Sequence, residues 1–244
     1  MDRPNYNPNL EPWYAPKRIL QATQFFGHTY GEDFLKRGEF KRAREMFVAA
    51  IATIGAYVLD HENKYMIQLN NQSSTPDVMS SVLVETPGEL VTLAHTPLEI
   101  VELEEHSPDT DLFEFIKRKK LYPAKKYENT MILCFVNKDI PYQDPRELVA
   151  KFNAENPSGS IFILGRASGK DINKYRIMTP YPVPSPFVDF DVVETVHSYH
   201  MPDSVTMVKG VVRKLTHERQ RLEPFKIYET MGVNEAKVEK YKKI

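Results

Sequence analysis

The sequence predicts an α/β protein in which helices flank a mixed central sheet. Residues 130–137 and 160–165 form short, almost wholly apolar runs, of the type that is buried on both faces of a sheet. Each run is preceded by an amphipathic helical pattern, at 109–120 and 145–156 respectively. Alternation of strands and helices in this order is typical of a sheet covered by helices.

The composition is that of an ordinary folded chain. The 244 residues are sufficient for one large domain with appendages, and 41% of them are hydrophobic and 27% charged. The formal net charge is −1, from 32 basic and 33 acidic residues, so any contact with a polyanion must come from local clusters. Composition alone neither supports nor excludes binding to nucleic acid.

The chain divides into three predicted parts. Residues 1–16 contain four prolines and form an extended arm, which Trp13 pins to the body. Residues 17–166 form the α/β core, which opens with a helical hairpin. Residues 167–244 form a proline-rich crossing and then a C-terminal β/α appendage.

Within the first helical part, residues 38–50 are also similar to the second half of a tetratricopeptide repeat. The copy is single, whereas a solenoid needs about three repeats, so an ordinary hairpin is the favoured interpretation.

Further elements follow from short apolar runs and turn residues. Strands are predicted at 65–69, 78–85, 90–94, 98–105, 188–199 and 205–214. Thr96-Pro97 is expected to begin the strand at 98–105, and Asp109 or Thr110 to cap the helix at 109–120. A charged helical tail is expected from residue 222 onward.

Cysteine usage and hydropathy bear on the compartment. Cys134 is the single cysteine and lies in an apolar run, so we expect a buried, reduced thiol and a reducing compartment. No stretch approaches the ~18 apolar residues that a membrane span requires, and the N-terminus does not have the pattern of a secretory signal. We therefore expect a cytoplasmic location without membrane contact.

Three carboxylates stand out as candidate site residues. Asp77 directly precedes the predicted strand at 78–85, whereas Glu102 and Glu104 lie in the strand at 98–105. Residues i and i+2 of a strand face the same way, so Glu102 and Glu104 share a face that Asp77 is expected to reach. Such oxygen ligands suit Mg²⁺ or Mn²⁺, which can orient a water and stabilise charge on a phosphate.

The segment Thr75-Pro76-Asp77-Val78, followed by the acidic strand, resembles the PD-(D/E)XK nuclease superfamily over roughly residues 39–165. The resemblance implies a restriction-endonuclease-like core that hydrolyses phosphodiester bonds in DNA. It also implies that Asp77 and Glu102 hold Mg²⁺ or Mn²⁺ and that Glu104 is a third catalytic residue.

One position departs from the family pattern, because Glu104 stands where the family has a lysine. Some restriction enzymes of the superfamily share this glutamate, and many inactive members have lost the lysine. Lys119 or Lys120 is an alternative donor, and Glu45 or Glu39 is a candidate for the acidic residue that members often carry on the first helix.

A basic cluster is the best local candidate for phosphate contacts, and two tyrosines, Tyr122 and Tyr127, are interleaved with it. The basic residues are Lys117, Arg118, Lys119, Lys120, Lys125 and Lys126. Alternatively, the cluster is a solvated helix end whose cations complement the helix dipole.

Three functional hypotheses remain open. The first is the metal-dependent nuclease. The second is a catalytically inactive relative that binds nucleic acid or protein. The third is an assembly role, in a homo-oligomer or with a protein partner, in which the proline-rich segments act as docking elements.

The plainer interpretations of the same residues also stay open. The acidic run is alternatively a solvated strand edge, and His106 is either a neighbour of the metal, a general base or a surface residue. Residues 165–170 superficially resemble a phosphate-binding loop, but their spacing does not match one.

Overall fold

The computed structural model describes residues 12–31, 34, 40–61, 63–69, 76–86, 89–122, 127, 129–167, 171, 173–201, 204–208 and 211–214. The α-helices in these ranges are α1 (Pro16–Tyr30), α2 (Lys41–Leu59), α3 (Leu112–Ile116), α4 (Pro145–Glu155) and α5 (Val192–Ser198). A π-helical turn, Lys117–Leu121, continues α3. The strands are β1 (Trp13–Tyr14), β2 (Lys64–Leu69), β3 (Val78–Thr86), β4 (Glu89–Leu103), β5 (Met131–Val136), β6 (Ile161–Arg166), β7 (Lys174–Tyr181), β8 (Val188–Asp191), β9 (Ser204–Val208) and β10 (Val211–Lys214).

The chain forms two compact units, and each is built from separate parts of the sequence. The first unit comprises Met1–Ile51, Asn63–His95 and Tyr199–Ile244, and the second comprises Ala52–Glu62 and Thr96–Ser198. The predicted domains divide the chain differently. β7 and β8, which lie beyond the predicted boundary at residue 166, are in the same unit as β5 and β6.

The first unit is built around antiparallel strands. Their order is β10-β9-β1-β2-β3-β4, and Val211 of β10 also pairs with Val91 of β4, so the strands close into a ring. The buried ring of Trp13 stacks on His95 with a centroid separation of 5.1 Å. The predicted anchoring of the N-terminal segment by Trp13 is therefore confirmed, while residues 1–11 lie outside the described ranges.

The second unit contains the mixed sheet that the sequence predicts. β4, β5 and β6 are parallel neighbours, whereas β7 pairs antiparallel with β6 and β8 pairs antiparallel with β7. One face packs against α3 and α4 in a cluster of buried apolar side chains that includes Val101, Leu103, Phe113, Phe152 and Ile163. The other face receives α2, which brings Gly55 close to Ile177 and Phe190. The α/β class is thus confirmed.

Local signals in the sequence set the limits of α4. Asp144 precedes the helix and accepts a hydrogen bond from the backbone N–H of Arg146 at 2.9 Å, and Pro145 occupies the first turn. Asn156 ends the helix in the left-handed conformation, with a φ of 52°. The predicted helix at 145–156 and the buried strands on either side of it are confirmed.

Two separately predicted strands are one long strand in the structure. The predictions at 90–94 and 98–105 merge into β4, which continues through Pro97. Pairing with β5 begins at Leu98, directly after the proline. Proline lacks a backbone N–H and is tolerated in a strand where no neighbour requires that donor.

The cap predicted for the helix at 109–120 was wrong by one or two residues. Asp111, rather than Asp109 or Thr110, accepts a hydrogen bond from the backbone N–H of Glu114 at 3.1 Å, and α3 begins at Leu112. The side chain of Asp109 instead binds Arg118. Tertiary pairing of Asp109 therefore decided which of the two aspartates caps the helix.

The extended crossing predicted over residues 167–186 was wrong in part, because it contains β7. This strand is buried through pairing on both sides, by β6 and β8, although its sequence ends in a proline-rich run. The strand predicted at 188–199 is also shorter than expected. It ends at Asp191, whose carboxylate accepts hydrogen bonds from the backbone N–H groups of Val193 and Glu194 and so starts α5.

Other predicted elements fall on described residues only in part. β9 and β10 replace the single strand predicted at 205–214. The predicted tail helix lies outside the described residues. In the part of the chain that the structure covers, no helix combines the length and the hydropathy that a membrane crossing requires.

Candidate functional site

The parallel strands bring three chain segments to one edge of the second unit. Because β4, β5 and β6 run in the same direction, the residues that follow them meet at their carboxyl ends. In open α/β sheets, this edge is the usual place for ligand binding. A cleft of about 660 Å³ opens here, and we call it the carboxyl-edge cleft. Its polar lining residues include Glu105, Asn137, Asp139, Gln143, Arg166 and Arg176.

Hydrogen bonds fix the loops around the carboxyl-edge cleft. Lys138 donates from Nζ to the carbonyl oxygens of Ser107, at 2.7 Å, and Asp109, at 3.2 Å. Gln143 donates from Nε2 to the carbonyl oxygens of Thr110, at 3.3 Å, and Pro141, at 3.2 Å. The loops after β4 and β5 are therefore joined directly, which favours a cleft that is already formed before any ligand binds.

Glu102 lies at the end of β4 beside the cleft and is half-buried. Its Oε1 accepts a hydrogen bond from Nδ2 of Asn137 at 3.1 Å, and the backbone N–H of Asn137 donates to the carbonyl of Leu103 at 3.0 Å. Asn137 thus connects the end of β4, the carboxylate of Glu102 and the cleft that it lines. This amide holds the Glu102 carboxylate in one orientation.

The other two predicted carboxylates have different settings. β4 ends at Leu103, so Glu104 lies beyond the strand and is exposed, and strand geometry does not place its side chain on the face of Glu102. Asp77 directly precedes β3, as predicted, and belongs to the first unit, whereas Glu102 and Glu104 belong to the second. A shared cation between these residues stays a prediction.

The ligands predicted for Mg²⁺ or Mn²⁺ do not form a group of three within the described residues. In those ranges, no three side chains of histidine, cysteine, aspartate or glutamate come together in a way that would hold a metal ion. His106 lies in the exposed turn after β4. Glu45 forms an ion pair with Lys41 at 3.2 Å, and Glu39 lies outside the described residues.

Three of the four contiguous basic residues predicted to contact phosphate are held by carboxylates. Lys117 binds Glu155, Arg118 binds Asp109 and Lys120 binds Glu99, each with an N–O distance of 2.6 Å. These contacts neutralise the cations locally.

The remaining members of the basic cluster differ from these three. Lys119 is exposed, and Lys125 and Lys126 lie outside the described residues. Binding of nucleic acid by the cluster stays a prediction.

The pair formed by Lys120 and Glu99 is the most deeply buried of these ion pairs. Glu99 is 1% exposed and shares a face of β4 with Val101 and Leu103. The ammonium group of Lys120 also lies 5.3 Å from the ring centroid of Tyr127. Sequence reasoning missed this pair, although Lys120 falls four residues after Ile116, in phase with the buried face of α3.

Sequence reasoning also missed the two arginines of the cleft. Arg176 binds Asp189 through two hydrogen bonds, from Nε at 2.5 Å and from Nη2 at 2.8 Å. Its guanidinium group lies 5.8 Å from the ring centroid of Phe187. Arg166 ends β6 and is exposed. The run at 165–170 contained a signal for Arg166, but the missing phosphate-loop spacing led us to set it aside.

Comparisons with known proteins do not add a family to these observations. No family model matches the chain, and no curated protein or solved structure matches it.

Proposed function

We propose that the chain hydrolyses phosphodiester bonds of DNA with the help of Mg²⁺ or Mn²⁺, and that Glu102 is a ligand of the metal ion. The observation that supports this proposal is the hydrogen bond between Glu102 and Asn137 at the carboxyl edge of the parallel strands. Carboxylates that bind metals are commonly held in place by such partners. The element order around Glu102 also agrees with the nuclease-like order expected from the sequence.

Water and the substrate phosphate would complete the metal's coordination. Mg²⁺ is usually bound by one or two carboxylates and keeps several of its waters, so it does not need a closed set of protein ligands. Lys120 is committed to Glu99, which makes it a poor donor to the attacking water. In this proposal the metal ion itself lowers the pKa of that water.

The test uses supercoiled plasmid DNA with Mn²⁺, Mg²⁺ or EDTA. We expect cleavage that depends on the metal ion and that falls roughly a hundredfold or more in Glu102→Gln, which removes the charge and keeps the shape. Glu114→Gln is the matched control, because Glu114 is an exposed glutamate on α3. Absence of cleavage by the wild type, or equal cleavage by Glu102→Gln, would contradict the proposal.

A second variant tests the supporting observation itself. Asn137→Ala removes the amide that orients Glu102, so we expect a tenfold to hundredfold higher Mn²⁺ concentration for half-maximal cleavage. The same assay with Asp77→Asn and Glu104→Gln tests the two other predicted residues. Unchanged metal dependence in Asn137→Ala would show that the amide serves the fold alone.

Binding of nucleic acid without hydrolysis is a second candidate function. It is favoured by Glu104, which stands where a nuclease would have a lysine, and by the ion pair that occupies Lys120. This candidate predicts salt-dependent binding of DNA in EDTA that Lys119→Gln weakens and Glu102→Gln does not change. Fluorescence anisotropy with a labelled duplex separates it from the first proposal.

A further inference from the structure

The carboxyl-edge cleft contains one arginine that is already fixed in place. Asp189 uses two of the five N–H donors of Arg176, and Phe187 lies against its guanidinium group. The remaining donors are available to a ligand in the cleft that Arg176 lines. A guanidinium group that is held in this way loses little side-chain entropy when it binds an oxyanion.

Arg166 provides a second guanidinium group beside the first. Within the described ranges no carboxylate forms an ion pair with it, and residues 168–170, which follow it in the sequence, are serine, glycine and lysine. Arg166 also lines the cleft. Two guanidinium groups on neighbouring strands suit a group with several charged oxygens, such as a phosphate.

The side of the cleft that follows β5 carries hydrogen-bond acceptors. The amide nitrogens of Asn137 and Gln143 are bonded to the protein, so their amide oxygens are the atoms left for a ligand. Glu105 and Asp139 add carboxylates to the lining, and Tyr142, which is 84% exposed, adds an aromatic ring. A fitting ligand therefore has an anionic end, an end with N–H or O–H donors, and a planar apolar part.

The size of the cleft decides between the ligand classes with these properties. A volume of about 660 Å³ lies within the range of roughly 300–1,000 Å³ that is typical of sites for drug-sized molecules. A single amino acid would leave most of this space unfilled. A nucleotide has the required size, a phosphate, a planar base that can stack on an aromatic ring, and donors on both base and sugar.

We propose that the carboxyl-edge cleft is a nucleotide-binding site in which Arg166 and Arg176 hold the phosphate and the amide oxygens of Asn137 and Gln143 accept hydrogen bonds from the base or sugar. This binding requires neither a metal ion nor hydrolysis. It therefore stands apart from the proposed nuclease activity and can be measured in EDTA.

The test is isothermal titration calorimetry of the full chain in EDTA. The probes are the four common nucleoside 5′-monophosphates, their nucleosides and inorganic phosphate. We expect at least one monophosphate to bind, and to bind about tenfold or more tightly than its nucleoside or phosphate alone. Arg166→Gln should weaken the binding about tenfold or more, because it removes a charged hydrogen-bond donor.

Two further variants make the result specific to the cleft. Lys119→Gln removes the same charge from an exposed position outside the lining and should leave the affinity unchanged. Asp189→Asn releases Arg176 and should weaken the binding, with thermal unfolding as the check that the fold is kept. Absence of binding by all four monophosphates, equal affinity for nucleoside and nucleotide, or an unchanged affinity in Arg166→Gln would overturn the proposal.

Discussion

The ion pair of Lys120 and Glu99 joins the π-helical turn to β4 in the interior of the second unit. Its N–O distance is 2.6 Å, and the side chain of Lys120 is 15% exposed. Desolvation of two charges offsets much of their attraction in such a place. Removal of one partner is different, because it leaves the other charge buried.

We expect Lys120→Met to lower the free energy of unfolding by about 3–5 kcal/mol, because Glu99 would lose its cationic partner. The double variant Glu99→Met with Lys120→Met should recover most of this loss, since neither charge is then buried. Urea unfolding followed by circular dichroism measures both values.

Lys119→Gln serves as the control at this scale. Lys119 is exposed on the same turn, and its replacement should change stability by less than about 0.5 kcal/mol. A loss in Lys120→Met that is no larger than the loss in Lys119→Gln would show that the buried pair does not stabilise the fold.

Cys134 is free and buried at the centre of β5, as the sequence predicts. Burial raises the pKa of its thiol far above the ordinary value. The thiolate, which is the nucleophilic form, is therefore scarce near neutral pH. This thiol packs in the core and is not a candidate nucleophile.

At the scale of elements, two glycines in helices differ in what surrounds them. A Cβ at Gly55 of α2 would lie 2.9 Å from Cζ of Phe190 and 3.0 Å from Cδ1 of Ile177. A Cβ at Gly27 of α1 would have no neighbour within 4 Å. The absent side chain at Gly55 therefore sets how closely α2 approaches β7 and β8.

We expect Gly27→Ala to stabilise the protein by about 0.5–1 kcal/mol, because alanine has the higher helix propensity. Gly55→Ala gains the same propensity but forces the helix or Phe190 to move, at a cost of about 1–3 kcal/mol. Its net effect is a loss, and thermal unfolding of the two variants gives the comparison. Equal stabilisation by both substitutions would contradict the close packing of α2.

The carboxylates of several ion pairs govern the whole molecule's stability towards acid. The hydrogen bond from Arg176 lowers the pKa of Asp189, that from Arg118 lowers the pKa of Asp109, and that from Lys117 lowers the pKa of Glu155. In the first unit, burial lowers the pKa of His95. In each case the folded protein binds a proton less readily than the unfolded chain.

The free energy of unfolding is therefore expected to fall as the pH falls. For a group with a depressed pKa, the stabilisation is complete above the unfolded pKa and is lost as the pH passes down through the folded pKa. The loss should begin below about pH 6.5 through His95 and become steeper below about pH 4 through the carboxylates.

Urea unfolding between pH 8 and pH 3 measures this dependence, and Asp189→Asn should make it shallower in the acid range because one of the contributing carboxylates is gone. Stability that is constant or rises towards pH 3 would contradict the assignment.

At this scale, the sequence predicted the elements better than their partners. The buried strands β5 and β6, the helix α4 with its Asp144 cap, and the buried Cys134 follow from short-range patterns that any window of the chain displays. β7 and the change from β8 to α5 at Asp191 were missed. Pairing with distant strands overrides the local preference of a proline-rich segment.

The candidate site shows the same division. The sequence singled out Glu102 by its alternation with apolar neighbours, and it placed Asp77 directly before a strand. It did not indicate that Asn137 orients Glu102, that Glu99 holds Lys120, or that Arg166 and Arg176 line one cleft. Each of these contacts joins residues between 10 and 35 positions apart.

The sequence by itself determined the α/β class, the order of the central elements and the burial of the apolar strands, because periodicity and capping act within a few residues. Only the tertiary structure decided which charges neutralise one another and which side chains surround the carboxyl-edge cleft. The physical reason is that the parallel register of β4, β5 and β6 brings together the ends of strands that lie roughly thirty residues apart in the chain.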